Sequence, residues 1–236
     1  SRSGFMSSRA RRMPALSIDN LSFRYPGSSA PVVNIPSLSL EPAEQLLLTG
    51  GSGRGKSTLL QLIAGLMDPQ TGTITINGTR IHALPPSKRD EFRGRHIGMI
   101  FQTFNLLLGF TAKENVLAAL LFANASTPNQ HTHATELLSW LGIDRPDARV
   151  EHLSVGQQQR VAVARALACS PTLVLADEQT ASLDPANAAL AMDLIQSACK
   201  SRGAALLCVS HDPQMNARFP RVLALESLSP LPEAAR

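Results

Sequence analysis

A glycine-rich stretch at residues 50–58 holds the residues of this 236-residue chain whose types and spacing point most clearly to chemistry. It fits the pattern G-x-x-x-x-G-K-[ST] and lies between an apolar, strand-like run and a helix-like run. Glycines let successive N–H groups point inward around a phosphate, and a helix N-terminus adds partial positive charge. The stretch therefore predicts a nucleoside triphosphate site formed by Gly50, Gly51, Ser52, Gly53, Arg54, Gly55, Lys56, Ser57 and Thr58. Within it, Lys56 can reach the β- and γ-phosphates and the Ser57 hydroxyl can ligate Mg2+.

Two adjacent acids, Asp177 and Glu178, close an apolar run at residues 173–176. Ligands of open α/β sheets bind at the carboxyl ends of the strands. An aspartate at such an end can hold Mg2+, usually through water, and the next acid can polarise an attacking water. The other interpretation is an ordinary strand end with surface acids, which the glycine-rich stretch in the same chain disfavours.

A third stretch, residues 153–157, reads Leu-Ser-Val-Gly-Gln. Ser154 and Gln157 form the S-x-x-Q spacing of a capping box, which predicts the start of a helix through residue 168. Capping alone explains the pattern. A sharper interpretation is that Ser154 and the amides of Val155 and Gly156 form a second anion site, again at a helix N-terminus.

Taken together, these motifs resemble the ATP-binding subunit of an ABC transporter, and the resemblance extends from about residue 16 to residue 225. In that family two subunits face head to tail, and each ATP lies between the glycine loop of one subunit and the signature, usually LSGGQ, of the other. The resemblance implies ATP as cofactor and a second copy of the chain as partner, with Ser154, Gly156 and Gln157 on the second copy's nucleotide. Val155 replaces the usual glycine, and a valine that needed a positive φ there would weaken activity.

The family pattern also assigns roles to isolated residues. Tyr25 matches an aromatic that stacks on adenine, although a lone tyrosine is more often a packing residue. Gln102 matches a glutamine that ligates Mg2+ and hinges the helical insert, although it is also a plausible turn residue. Asp184 matches the loop that crosses the dimer interface, and before Pro185 it is equally an N-cap. His211 matches the switch histidine that reaches the γ-phosphate, although turn histidines usually face solvent.

The resemblance implies an enzyme that hydrolyses ATP. Its catalytic residues would be Glu178, His211 and Lys56, and its Mg2+ ligands Ser57, Gln102 and Asp177. The family commonly has proline after the acidic pair, where this chain has Gln179, so that turn loses a fixed φ. Both acids remain, which favours a hydrolysing site over a degenerate one.

Strand-like and helix-like runs alternate along the chain, and the 44% apolar composition is ordinary for a globular protein. Asn77-Gly78 predicts a hairpin turn after the strand at 73–76, and residues 127–129 a break between two helices. Asp212-Pro213 predicts the start of a helix, and residues 222–225 a last short strand. The expected fold is α/β: a P-loop NTPase core with a mixed sheet, an N-terminal antiparallel β subdomain and an inserted α-helical subdomain. The expected domain covers residues 16–228, with the RecA-like core at 16–102 and 155–228 and the helical subdomain at 103–154. Residues 1–15 and 229–236 are expected to be tails.

The sequence predicts no transmembrane segment, because charged and amide residues interrupt the longest apolar candidate, at residues 106–123. It also shows no signal peptide. The three cysteines, Cys169, Cys199 and Cys208, lack metal spacing and are expected to be reduced core residues. The five histidines other than His211 fit no metal pattern either.

The resemblance therefore implies a separate transmembrane permease as partner and a peripheral location on the cytoplasmic face of the inner membrane. Segment 103–115 and the helical insert would form the groove that receives a permease helix. The residues of that segment resemble the branch with lipoprotein-release and macrolide-efflux subunits. No nucleic acid is expected as partner. An ABC ATPase acting on DNA or ribosomes is disfavoured, since such members carry a long coiled-coil insert or two cassettes. A weakly hydrolysing scaffold of a membrane complex is the other alternative.

Overall fold

The computed structural model describes residues 13–51, 53–101, 103–177 and 185–228. Its strands are β1 (Leu16–Phe23), β2 (Val33–Leu40), β3 (Gln45–Thr49), β4 (Thr71–Ile76), β5 (Thr79–Arg80), β6 (Ile97–Ile100), β7 (Leu173–Asp177), β8 (Ala205–Ser210) and β9 (Arg221–Ala224). Its helices are α1 (Lys56–Ile63), α2 (Pro86–His96), α3 (Ala112–Phe122), α4 (Gln130–Trp140), α5 (Val155–Leu167), α6 (Pro185–Ser201) and α7 (Leu225–Leu228). The expected C-terminal tail and most of the N-terminal one lie outside the described residues.

A parallel sheet in the order β6-β7-β8-β3-β9 forms the core of the fold. Every residue of β8 is buried, as are four of the five in β7, because helices cover both faces of a parallel sheet. The register pairs Thr49 with Ser210 and Asp177 with Val209, so the carboxyl ends of β3, β7 and β8 lie at one edge. This edge is where the sequence predicts the chemistry.

The N-terminal strands form a second, antiparallel sheet in the order β2-β1-β4-β5. The turn between β4 and β5 is Asn77-Gly78, with φ of 48° and 77°, as the predicted hairpin requires. The α/β class and the N-terminal antiparallel β subdomain are confirmed, whereas the core sheet, expected to be mixed, is parallel in all its described pairs. Alternating burial along β1 and β2 fits this, since these antiparallel strands bury one face of a sheet of their own.

Helices α3, α4 and α5 pack together beside the parallel sheet, and α5 also contacts β6 and α6. A capping box between Thr111 and Glu114 starts α3, and a non-helical stretch before Gln130 separates α3 from α4 as predicted. The last strand was expected to include Leu225. Instead β9 ends at Ala224 and Leu225 begins α7, where its side chain is buried and the helix packs against β2.

No helix among the described residues is long and apolar enough to span a membrane.

Candidate functional site

The glycine loop connects β3 to α1, as predicted. Gly55 occupies the N-cap position of α1 with a φ of 89°, a left-handed conformation that favours glycine. A Cβ on Gly55 would also lie only 2.6 Å from the carbonyl oxygen of Val32. Two independent constraints, backbone conformation and space, therefore require glycine immediately before the lysine.

Lys56 and Ser57 point their functional groups in different directions from the first turn of α1. The Lys56 side chain is buried, and its Nζ donates to the carbonyl oxygens of Gly50 at 2.8 Å and Gly51 at 2.9 Å. Ser57 is exposed. The ammonium group is thus held inside the loop that would surround the phosphates, while the hydroxyl is open to a metal ion.

Asp177 and His211 lie at the carboxyl edge of the sheet, at the end of β7 and directly after β8. His211 is exposed, and Asp212 accepts a hydrogen bond from the Gln214 amide at 2.9 Å, which starts the following 3-10 helix as predicted. Burial, with a contribution from the Asp177 charge, raises the pKa of Cys208 to about 12. Lys56 begins α1, which follows β3 through the glycine loop. The structure thus brings Lys56, Asp177 and His211 to the carboxyl edge of the parallel sheet.

Tyr25 follows β1 and lies against the glycine loop. Its hydroxyl is 3.1 Å from the Thr58 Oγ1, and its ring packs edge-on against Phe23. Forty per cent of the residue remains exposed. A tyrosine held at the loop with part of its surface free is suited to stack on a base.

The signature stretch begins α5. Ser154 is the N-cap: its Oγ accepts from the Gln157 amide at 3.3 Å, and its amide donates to the Gln157 Oε1 at 3.0 Å. Val155 is helical, is 58% exposed and has no positive φ, so the strain considered for a valine at this position is absent. A Cβ on Gly156 would meet nothing within 4 Å. Ser154, Val155 and Gly156 are thus exposed in the part of the chain that the structure describes.

The signature stretch and the glycine loop belong to different parts of the chain. The main contacts of α5 are with α3, α4, α6 and β6, whereas the glycine loop joins β3 and α1. The structure therefore has two separate helix N-termini at the predicted sites, a position that favours anions.

Sequence reasoning missed the side chains that hold the segment after residue 102. Arg165 of α5 donates to the Phe104 carbonyl at 2.7 Å and to the Asn105 carbonyl, and both of these residues are left-handed, with φ of 57° and 48°. Burial lowers the pKa of Arg165. A single arginine in the otherwise apolar run at 161–167 was the available signal.

Asn115 of α3 is fully buried and braces the same segment. Its Oδ1 accepts from the Leu107 amide at 2.8 Å, while its Nδ2 donates to the carbonyls of Leu107 at 3.2 Å and Thr111 at 3.0 Å. The side-chain amide thus gives the Leu107 N–H an acceptor and adds a second donor to two carbonyls that also accept from backbone amides.

Four predicted site residues lie outside the described residues: Ser52, Gln102, Glu178 and Asp184. Their roles remain predictions.

This site, on a parallel α/β sheet with an added antiparallel sheet and a helical layer, defines a phosphate-loop nucleotide-binding protein. The family model described as ABC transporter matches residues 33–181. An ABC transporter ATP-binding protein of Mycobacterium tuberculosis, from strains CDC 1551 and H37Rv, is 38% identical over 228 residues. The match covers 95% of this chain and 92% of that protein.

Two similar solved structures are of the cassette MJ0796, one described as a dimeric bacterial ABC transporter cassette and one as a dimeric post-hydrolysis state with ADP and Pi. Each has a TM-score of 0.75 and 30% identity, and covers 89% of this chain and 93% of the other. The chain belongs to the ABC transporter family. It is an ATP-binding cassette of that family and an ATPase.

Proposed function

We propose that two copies of this chain close head to tail around two ATP molecules and reopen after hydrolysis, thereby driving a separate membrane permease. The observation that carries the proposal is the separation of the signature helix from the glycine loop within one chain. Among the described residues the N-terminus of α5 is exposed, and in this proposal Ser154 and Gly156 contact the phosphate that the other copy's glycine loop holds. The dimeric structures of MJ0796 support self-association.

In this proposal the glycine loop binds the triphosphate of ATP and Tyr25 stacks on its adenine. Lys56 places its charge beside the β- and γ-phosphates, which stabilises charge that develops during transfer. Glu178 orients the attacking water and accepts its proton, and His211 holds the γ-phosphate from the end of β8. Ser154, Gly156 and Gln157 of the second copy close the site, with Asp184 at the interface between the copies.

The residues present suit a magnesium ion. Ser57 offers an exposed hydroxyl, Asp177 a carboxylate at the sheet edge and Gln102 an amide oxygen, and Mg2+ prefers such oxygen ligands. When bound, the ion would neutralise charge on the phosphate oxygens. We propose these three residues as its ligands.

The permease would dock on the groove between the core and the helical layer. A cavity of 620 Å³ lies there, between α2, β6, α3 and α5, and Arg93, Asn105, Phe122 and Arg165 are among its lining residues. Phe122 in this lining is 78% exposed, and Leu108 of segment 103–115 is 75% exposed, and exposed apolar side chains of this kind are ones that protein interfaces cover. We propose residues 103–154 as the helical subdomain that moves with the permease, and 16–102 with 155–228 as the core.

This permease would place the chain at the cytoplasmic face of the membrane. Residues 104–107 and 110–116 favour a permease of the lipoprotein-release and macrolide-efflux branch. Co-purification with an integral membrane protein is expected, and capture on nucleic acid or ribosomes instead would contradict the proposal.

An ATPase assay tests directly whether this chain hydrolyses ATP as proposed. The wild-type chain with its permease should hydrolyse ATP in a Mg2+-dependent manner, and Glu178→Gln should reduce kcat by about a hundredfold or more, as loss of a general base does. The specific rate should rise with protein concentration, because each site needs two copies. A wild-type rate equal to that of Glu178→Gln would leave only a scaffold role.

A further inference from the structure

Glu226, the second residue of the short helix α7 that follows β9, contacts the glycine loop at Gly51. Its Oε1 accepts a hydrogen bond from the Gly51 amide at 3.2 Å. The contact follows from the sheet register: β9 pairs with β3 in parallel, with Ala224 opposite Thr49. Gly51 and Glu226 each lie two residues beyond this pair, Gly51 in the glycine loop and Glu226 in α7.

The same peptide group meets Lys56 on its other side. Nζ of Lys56 donates to the Gly50 carbonyl at 2.8 Å, and this carbonyl belongs to the peptide whose N–H donates to Glu226. The C=O and N–H of a trans peptide point in opposite directions. The Gly50–Gly51 peptide is therefore held between a carboxylate and an ammonium group.

From this arrangement we infer that Glu226 is a positioning residue for Lys56. Two consecutive glycines leave their shared peptide free to rotate, and rotation would remove the Gly50 carbonyl, one of the acceptors that hold the ammonium group. The hydrogen bond to Glu226 fixes the orientation of the peptide. It thereby keeps Lys56 in place before ATP arrives, an instance of preorganisation.

Space at Gly50 is consistent with this role. Gly50 does not have a positive φ, so its backbone conformation does not explain the glycine. A Cβ on Gly50 would lie 3.2 Å and 3.3 Å from the two carboxylate oxygens of Glu226. Glycine at this position leaves room for the carboxylate to approach the loop.

The inference rests on the proposed role of Lys56, so both are tested together in the full chain. Glu226→Ala should raise the KM for ATP by about three- to tenfold, the effect of losing one hydrogen bond. Glu226→Gln should stay within about twofold of wild type, because its amide oxygen still accepts from Gly51. Glu41→Ala, which removes an exposed carboxylate before the amino end of β3, is the matched control and should leave KM unchanged.

Thermal unfolding without nucleotide should not separate these variants, since Glu226 is exposed. Unchanged KM in Glu226→Ala would overturn the inference. Tighter ATP binding in both Glu226 variants would also overturn it, because the carboxylate would then only repel the triphosphate. Lys56→Ala distinguishes failure of the inference about Glu226 from failure of the proposed function. If Lys56→Ala hydrolyses ATP normally, the proposed site itself is wrong. If Lys56→Ala is inactive while Glu226→Ala matches wild type, only the inference about Glu226 fails.

Discussion

The guanidinium of Arg165 in the signature helix donates a hydrogen bond to the backbone carbonyl of Phe104, 2.7 Å away. Phe104 and Asn105 are both left-handed, a conformation that costs free energy for residues other than glycine. The same guanidinium also binds the Asn105 carbonyl. One side chain thus ties the helix that begins at the signature to the segment that follows Gln102 and lines the proposed permease groove.

Replacing Arg165 with lysine should destabilise the protein by about 1–2 kcal/mol. A lysine ammonium lacks the planar fork of the guanidinium and cannot bind both carbonyls with the same geometry. Urea unfolding measures the change. Arg202→Lys is the control, since Arg202 lies over the partly exposed Trp140 ring and should change stability little. Equal stability of Arg165→Lys and wild type would show that the two hydrogen bonds contribute nothing.

Asn115→Ala should cost about 2–3 kcal/mol, because it removes three hydrogen bonds of a fully buried amide and leaves the Leu107 N–H without this acceptor. Asn115→Asp should be at least as harmful, since it would bring a carboxylate against two carbonyl oxygens. Denaturant unfolding reports both. Asn129→Ala is a suitable comparison because Asn129 makes no capping hydrogen bond and is exposed. If Asn115→Ala is no less stable than Asn129→Ala, the hydrogen bonds of the Asn115 side chain do not contribute to stability.

Val155→Gly should leave the ATPase rate within about twofold of wild type. Val155 is helical without a positive φ, so glycine relieves no strain. The variant should lose about 0.5 kcal/mol of stability through lower helix propensity. Steady-state hydrolysis and thermal unfolding are the measurements. A rise in rate of several-fold would mean that the valine side chain hinders closure.

The thiols should differ in reactivity. Burial raises the pKa of Cys199 and of Cys208 to about 12, and a smaller upward shift applies to the half-buried Cys169. Since the thiolate is the reactive form, titration with a thiol reagent at pH 8 should modify at most Cys169 in the native protein. All three should react in denaturant. Rapid native modification of Cys208 would contradict the burial of β8.

Local patterns predicted the parts of the fold and site that depend on neighbouring residues. The glycine loop, the Asn77-Gly78 hairpin and the Ser154–Gln157 capping box each involve residues at most a few positions apart. Contacts between distant residues left no such pattern. Arg165 and Phe104 are 61 positions apart, and Glu226 and Gly51 are 175 apart. Only the folded sheet and helices bring these groups together.

The pairing of the core strands was also hidden. Alternating apolar and polar residues predicted the N-terminal strands, but the sequence of a buried strand does not identify its neighbours, so the core sheet was expected to be mixed although it is parallel. The prediction for Leu225 failed for a similar reason, because a buried leucine satisfies both a strand end and a short helix packed on β2.

Mixing two inactive variants tests the head-to-tail composite site most directly. Lys56→Ala removes the lysine of the glycine loop. Gly156→Asp adds a charge that would oppose the partner's triphosphate, at a position where a new side chain meets open space. Each variant alone should be inactive, but a mixed dimer contains one intact site. A 1:1 mixture should therefore recover about a quarter of the wild-type rate, from half the dimers with one of two sites working. No recovery on mixing, or full activity of Gly156→Asp alone, would contradict the composite site.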